Sequence, residues 1–81
     1  MKFRKVDRTA GKILRRLRDR AGITQMELAR KTGVSYQTIQ KLESGETRIN
    51  IGRLFDLTYV LKTKPSDIVA LVEFEFEKDD F

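Results

Sequence analysis

Residues 24–43, TQMELARKTGVSYQTIQKLE, decide how this chain folds. Thr24 with Glu27 three residues later is the pattern of a capping box at the start of a helix. Gly33 can take the left-handed backbone conformation of a tight turn, and Ser35 is a good N-cap for the segment that follows. The stretch therefore predicts two short helices joined by a turn at Gly33.

The second of these helices has few apolar side chains. Ile39 and Leu42 are predicted to face inward, and Val34 is predicted to fill the turn before the helix. Most other positions up to about Glu43 are polar, so the helix is expected to present a polar face away from the core. Gly45 then closes it.

Three more helices are predicted around this pair. Thr9 is the expected N-cap of helix 1, and Gly22 is its stop. Asn50 caps helix 4, and Pro65 occupies the first position of helix 5, which is predicted to end near Val72. One face of helix 1 carries Ala10, Ile13, Leu14, Leu17 and Ala21, and one face of helix 4 carries Ile51, Leu54, Phe55, Thr58 and Leu61. Five short helices with short connections predict an all-α bundle.

Composition narrows the function classes. The chain has 81 residues, which is one domain, and it contains no cysteine and no histidine. These absences argue against disulfides, thiol chemistry and nearly every usual zinc site, and they remove the commonest general base at neutral pH. We therefore expect no enzyme, no metal and no cofactor. No apolar run approaches a membrane span and no signal-peptide pattern is present, so a cytoplasmic location is expected.

Charge is spread unevenly along the chain. The net charge is +5, but residues 73–81 hold only Lys78 of the 17 lysines and arginines and five of the 12 acidic residues. Residues 1–72 thus carry +9 and residues 73–81 carry −4. A basic body favours a polyanionic partner, although many small soluble proteins are basic for no special reason.

Both ends of the chain show a strand-like alternation. Residues 73–77, EFEFE, alternate with period two, and residues 2–4, KFR, do so with opposite charge. Cross-strand pairs of opposite sign favour an antiparallel ribbon. We therefore predict that residues 2–6 pair with residues 72–77, within one chain or between two chains. A disordered acidic tail is the alternative.

At this point the sequence resembles the Cro/C1-type (XRE, phage-repressor-like) helix-turn-helix DNA-binding family over residues 10–71. The features that match are Ile23-Thr24-Gln25, Leu28-Ala29, Gly33-Val34-Ser35, Ile39, Leu42-Glu43 and Gly45. The resemblance implies a lambda-repressor-like five-helix bundle whose third helix enters the major groove of DNA. The segments are then a basic arm or short strand (1–8), the DNA-binding domain (9–72) and an acidic tail (73–81). The family usually has a Gly-Val-type turn after helix 4, where this chain reads Lys62-Thr63-Lys64.

Base contacts are expected from the outward side chains of helix 3, which are Tyr36, Gln37, Gln40 and Lys41. Glutamine can pair with adenine through two hydrogen bonds, and lysine can donate to guanine. A tyrosine ring can pack on a thymine methyl group, or its hydroxyl can bind phosphate. The resemblance places a reading side chain at Gln37. Each of these side chains could contact phosphate instead, and helix 3 could be a plain solvated surface.

Phosphate contacts are expected on either side of the reading helix, from Gln25, Ser35, Thr38, Thr47 and Arg48. Gln25 lies in the first turn of helix 2, where free backbone N–H groups attract an anion, and the resemblance gives this glutamine that role. The resemblance also implies a structural ion pair between Arg18 and Glu43 that fixes the angle of helix 3. The alternative is an exposed pair of little energetic value.

These features favour a sequence-specific regulator of transcription, of bacterial, phage or mobile-element origin, that binds a double-stranded operator as a homodimer. A repressor is favoured over an activator because 81 residues leave little room for an effector domain. The first alternative is an antitoxin whose acidic tail grips a basic protein partner. The second is an adaptor that does not bind DNA, which the basic, polar helix 3 disfavours.

Overall fold

The computed structural model describes residues 4–79, and within that range the chain is all-α. It forms five helices, which are α1 (Lys5–Ala21), α2 (Gln25–Thr32), α3 (Tyr36–Ser44), α4 (Ile51–Val60) and α5 (Pro65–Asp79). Helix α1 packs against α3 and α5, and α2 packs against α3 and α4. The predicted all-α five-helix bundle is confirmed, and α2 and α3 form its helix-turn-helix.

One apolar core holds the helices together. Leu14 of α1, Leu28 of α2, Ile39 and Leu42 of α3, and Leu57 of α4 are at most 3% exposed. Burying a side chain of this size is worth about 1.5–3 kcal/mol, and both inward residues of α3 are among them. The core therefore fixes which face of α3 remains outside.

The predicted helix ends are formed by the residues expected. The Thr24 hydroxyl accepts from the Glu27 N–H at 3.0 Å, and the Glu27 carboxylate accepts from the Thr24 N–H at 3.1 Å. These bonds lower the pKa of Glu27, chiefly through the Thr24 backbone N–H. Gly33 has φ 73°, and the next N–H, that of Val34, donates to the Ala29 carbonyl at 3.1 Å. The turn between α2 and α3 is therefore a glycine-closed helix end.

The start of α1 differs from the prediction. The helix begins at Lys5, and Thr9 lies buried inside it with its hydroxyl donating to the Lys5 carbonyl at 2.9 Å. The N-cap is Arg4, whose side chain makes no capping hydrogen bond. The extra turn contributes Val6, which lines an apolar hollow beside α5. Packing against α5 thus extends α1 beyond the capping signal.

The ribbon prediction is wrong for the residues that the structure describes, because α5 continues through 72–77 to Asp79 and residues 5 and 6 belong to α1. Residues 2 and 3 lie outside the described range. The charge complementarity operates between two helices instead. The Arg16 guanidinium donates to both oxygens of Glu75, at 2.6 and 3.3 Å, and the Lys5 ammonium lies 5.0 Å from the centre of the Phe76 ring.

The connection after α4 departs from the family in one residue. Lys62 has φ 56°, a left-handed conformation that a family-type glycine would adopt more easily. The Thr63 N–H donates to the Thr58 carbonyl at 3.0 Å, which closes α4 as a glycine would. Pro65 then begins α5, as predicted.

Helix α4 turns a different face inward than predicted. Leu57, Thr58 and Leu61 are buried, but Ile51 and Phe55 are 70% and 58% exposed. The predicted apolar stripe is therefore split between the core and the surface.

Candidate nucleic-acid interface

The outer face of α3 carries four polar side chains that the core leaves free. Tyr36, Gln37, Gln40 and Lys41 are all exposed, while Ile39 and Leu42 anchor the opposite face. All four predicted base-reading residues thus lie on one accessible face. Within residues 4–79, no hydrogen bond or ion pair engages Gln37 or Lys41, so both retain their full hydrogen-bonding capacity.

Tyr36 and Gln40 form a pair on this face. The Gln40 side-chain amide donates to the Tyr36 hydroxyl oxygen at 3.1 Å. Because the oxygen of Tyr36 accepts, its own O–H can still donate, and the carbonyl oxygen of Gln40 can still accept. The pair therefore presents one donor and one acceptor at adjacent points.

The polar face of α3 continues onto α2 and α1. An open groove brings Gln25 of α2 and Arg15 of α1 beside Gln37, Gln40 and Lys41 of α3. In α2, the capping box engages the N–H groups of Thr24 and Glu27, and the Leu28 N–H donates to the Thr24 carbonyl. The N–H groups of Gln25 and Met26 remain at the open end of the helix, where an anion is favoured.

A buried ion pair fixes α3 against α1. Arg18 Nε donates to Glu43 Oε2 at 2.6 Å and Nη2 donates to Oε1 at 3.1 Å, with the two side chains 9% and 4% exposed. The Glu43 carboxylate raises the pKa of Arg18. Arg18 Nη1 also donates to the Ile23 carbonyl at 2.8 Å, in the turn before α2. One guanidinium thus joins α1, the following turn and α3.

Gln25 belongs to this buried network, which sequence reasoning did not foresee. Its side-chain amide donates to Glu43 Oε1 at 2.9 Å, and the side chain is half-buried. Since a carboxylate only accepts, the amide nitrogen of Gln25 must face Glu43. Its second amide hydrogen and its backbone N–H are the groups left to meet a phosphate.

Close backbone contact seats α3 as well. A Cβ placed on Gly11 would lie 2.5 Å from the carbonyl oxygens of both Leu42 and Glu43. At Gly45, which has φ 81°, it would lie 2.6 Å from the Arg8 Cα. Gly11 was not singled out from the sequence, because a glycine inside a helix gives no sign of which backbone it meets.

The predicted flanking contacts lie around the start and end of α3. Ser35 accepts from the Thr38 N–H at 3.0 Å, and the two hydroxyls are 2.8 Å apart. Thr47 and Arg48 are exposed in the loop after α3, and Arg48 Nε is 3.9 Å from an Asp7 oxygen. Met26, also missed from the sequence, is 67% exposed and lines a groove with Tyr36.

Comparison with known proteins agrees with this geometry. The helix-turn-helix family model matches residues 14–68. The chain is 43% identical over 56 residues to a transcriptional regulator in the ATPase CF(0) region of Rhodospirillum rubrum, covering 69% of this chain and 52% of that protein. It is 36% identical over 61 residues to the HTH-type transcriptional regulator y4wC of Sinorhizobium fredii, covering 75% and 43%. The chain thus spans about half the length of the curated relatives it matches.

A solved structure shares the fold. The clp gene regulator ClgR of Corynebacterium glutamicum superposes with a TM-score of 0.82 at 24% identity, over 89% of this chain and 94% of that one. With the family match over residues 14–68 and the two related regulators, this chain belongs to the helix-turn-helix family of DNA-binding transcription regulators, of the Cro/C1 type.

Proposed function

We propose that this chain binds a specific double-stranded operator and regulates transcription there, as a repressor rather than an activator. The observation that carries the proposal is the outer face of α3, where Gln37 and Lys41 have no partner within residues 4–79 and the helix behind them is rigidly held. A rigid, unsatisfied polar face gains hydrogen bonds when it meets base edges, whereas water already satisfies it when free.

In this mode α3 lies in the major groove and the open N-terminus of α2 faces one phosphate strand. Thr47 and Arg48 reach the other wall of the groove, with Ser35 and Thr38 at the start of α3. A two-fold homodimer would place two copies of α3 about 34 Å apart, one helical turn of DNA. Bound at an operator, the protein hinders other proteins from occupying it, and the proposed setting is the cytoplasm and its nucleoid. We propose no catalytic activity.

Selection of bound sites from random duplex DNA at fixed salt tests this function. One motif, symmetric or pseudo-symmetric, should be enriched, and affinity for it should fall steeply as salt rises because counterions are released from neutralised phosphates. Lys41→Ala should weaken and alter the selected motif, whereas Ser66→Ala, an exposed change on α5, should not. Equal affinity for random duplex, or affinity independent of salt, would reject the proposal.

An antitoxin role is the second candidate, and the surface at the end of α5 favours it. Glu73 and Glu77 are exposed there, beside Phe74, which is 64% exposed. An acidic surface with an aromatic group suits a basic protein partner. Co-expression with the product of a neighbouring reading frame should relieve its toxicity, and Glu73→Lys with Glu77→Lys should abolish the relief while leaving operator affinity intact. No complex and no relief would exclude this role.

A further inference from the structure

Three large apolar side chains stand out of the surface of α4. Ile51, Phe55 and Tyr59 are 70%, 58% and 86% exposed, and they recur every four residues. This spacing places them along one flank of the helix, beside the buried face that holds Leu57 and Leu61. We call these three residues the α4 stripe. Single exposed apolar residues are ordinary, but an aligned set on one flank marks an interaction surface.

Gly52 next to the stripe has no explanation within the chain. A Cβ at this position would meet only the Asn50 side-chain oxygen at 3.6 Å, which is an ordinary contact. Glycine is unfavourable inside a helix, and here no turn or close approach within the described residues requires it. The missing side chain leaves the backbone of α4 open to close approach by another molecule.

The stripe ends at an apolar hollow. Ile51 borders it together with Ile49, Val69 and Val72, and Val69 is 55% exposed. The hollow can receive a large side chain from outside. Tyr59, the most exposed member of the stripe, lies eight residues from Ile51, which is about 12 Å along the helix.

From these observations we infer that the α4 stripe is the surface on which a second copy of this chain docks, with the two α4 helices antiparallel. The stripe is symmetric about Phe55, so a two-fold axis there places Phe55 on its own equivalent. The same axis brings the Tyr59 side chain of each copy over the Ile51 hollow of the other. One patch thus supplies both the projecting group and its socket, as a two-fold interface requires.

The area available argues for a second copy that binds modestly. Aromatic side chains bury about 150–250 Å² each, so two stripes with their hollows remove on the order of 1,000 Å² from water. That is near the lower limit of about 1,200 Å² for stable interfaces. The stripe itself carries no charge, so a strongly acidic or basic partner gains nothing there. We expect a dimer that dissociates on dilution.

Sedimentation velocity of the DNA-free chain over a wide range of concentration tests this surface. The chain should sediment as a dimer at high concentration. Tyr59→Lys should raise the dimer Kd at least about 30-fold, as expected for an aromatic anchor at an interface. Since Tyr59 is 86% exposed, the variant should keep the circular dichroism and Tm of a diluted, monomeric sample.

Two further variants make the test specific. Gly52→Ala should raise the Tm of the diluted chain, since alanine favours a helix, yet weaken self-association. Phe74→Ser is the matched control, because Phe74 is also largely exposed but lies about 140° around α5 from Val69. It should leave the dimer Kd unchanged.

The inference rests on the proposed function only for the use of the dimer, because its test contains no DNA. A chain that remains monomeric at high concentration, or a dimer that Tyr59→Lys leaves intact, would overturn the docking surface even if operator binding holds. A dimer broken by Tyr59→Lys supports the surface even if no operator is found. Equal loss of the dimer in Phe74→Ser would place the interface elsewhere.

Discussion

Arg18 and Glu43 are joined by two hydrogen bonds across the bundle, from Nε at 2.6 Å and from Nη2 at 3.1 Å, and neither side chain is more than 9% exposed. The pair links the last turns of α1 to the last turn of α3, so it holds one end of the helix whose other end faces the groove. A charge buried this deeply depends on its partner.

Glu43→Gln should therefore lower the free energy of unfolding by about 3–5 kcal/mol, because it leaves the Arg18 charge buried without a counter-charge. Denaturant unfolding at neutral pH measures the change. Asp19→Asn is the control, since its carboxylate is 61% exposed and 3.3 Å from Arg18 Nη1, and its removal should cost less than about 1 kcal/mol. Equal losses in the two variants would mean that Glu43 is no more important than a surface charge.

The hydrogen bond from Gln25 to Glu43 predicts an order of effects. Gln25→Ala should cost about 1.5–3 kcal/mol, the value of a hydrogen bond to a charged group. Gln25→Glu should cost more at neutral pH, because it places a second carboxylate against Glu43. That repulsion raises the pKa of the introduced carboxyl, so the extra loss should disappear as the pH falls and the group takes up its proton. Urea unfolding of both variants across this pH range would contradict the contact if their difference stayed constant.

Gly11 predicts a cost of backbone crowding. In Gly11→Ala the new methyl group meets two carbonyl oxygens of α3 at 2.5 Å, and overpacking of this kind costs about 1–3 kcal/mol or more. Gly33→Ala is the comparison, because its Cβ meets nothing within 4 Å and the cost is the left-handed conformation alone, about 1–2 kcal/mol. Both should lower the Tm, but only Gly11→Ala should weaken operator binding beyond its effect on folding. Operator titrations well below both Tm values would separate the two effects.

Base and phosphate contacts should differ in their salt dependence. Gln37→Ala should cost about 1–3 kcal/mol at one base-pair position and leave the salt slope unchanged. Arg48→Ala should weaken binding to all sequences alike and reduce the slope of log K against log salt by about 0.9. Titrations of the selected operator and of single-base variants at several salt concentrations measure both. A slope change in Gln37→Ala would move that residue to the phosphate class.

The contact between α1 and α5 should respond to acid. The Arg16 guanidinium lowers the pKa of Glu75, so the pair stabilises the fold above the usual glutamate value of about 4.3 and loses that contribution as the pH falls through the lowered value. The Glu75 carboxyl signal in an NMR titration should shift below its ordinary pKa, and Arg16→Gln should return it. In Glu75→Gln, the end of α5 should become equally mobile at neutral and acid pH. An ordinary pKa for Glu75 would contradict the pairing.

The helix-turn-helix could be predicted because its signals are local. Thr24, Glu27, Gly33 and Ser35 each act on backbone within a few residues of themselves, and the structure uses all four as the sequence predicts. The outward face of α3 followed in turn, because the apolar Ile39 and Leu42 define the opposite side.

The end of α5 could not be predicted in the same way. Glu75 and Phe76 lie one residue apart in a pattern that suits a strand, but their partners are Arg16 and Lys5, about sixty to seventy positions away. Once α1 supplies those partners, a helix satisfies every backbone group, whereas a ribbon would need a second strand. The same distance in sequence hides the meeting of Gly11 with the end of α3.

The meeting of Gly11 and Gly45 with neighbouring backbone has a consequence for how such a protein can change. Because α3 rests on main chain rather than on the side chains that face outward, Tyr36, Gln37, Gln40 and Lys41 can be replaced without disturbing its seat. The recognition helix is then an exchangeable part on a fixed scaffold. A laboratory that rewrote those four positions could retarget the protein to a new DNA sequence while keeping its fold.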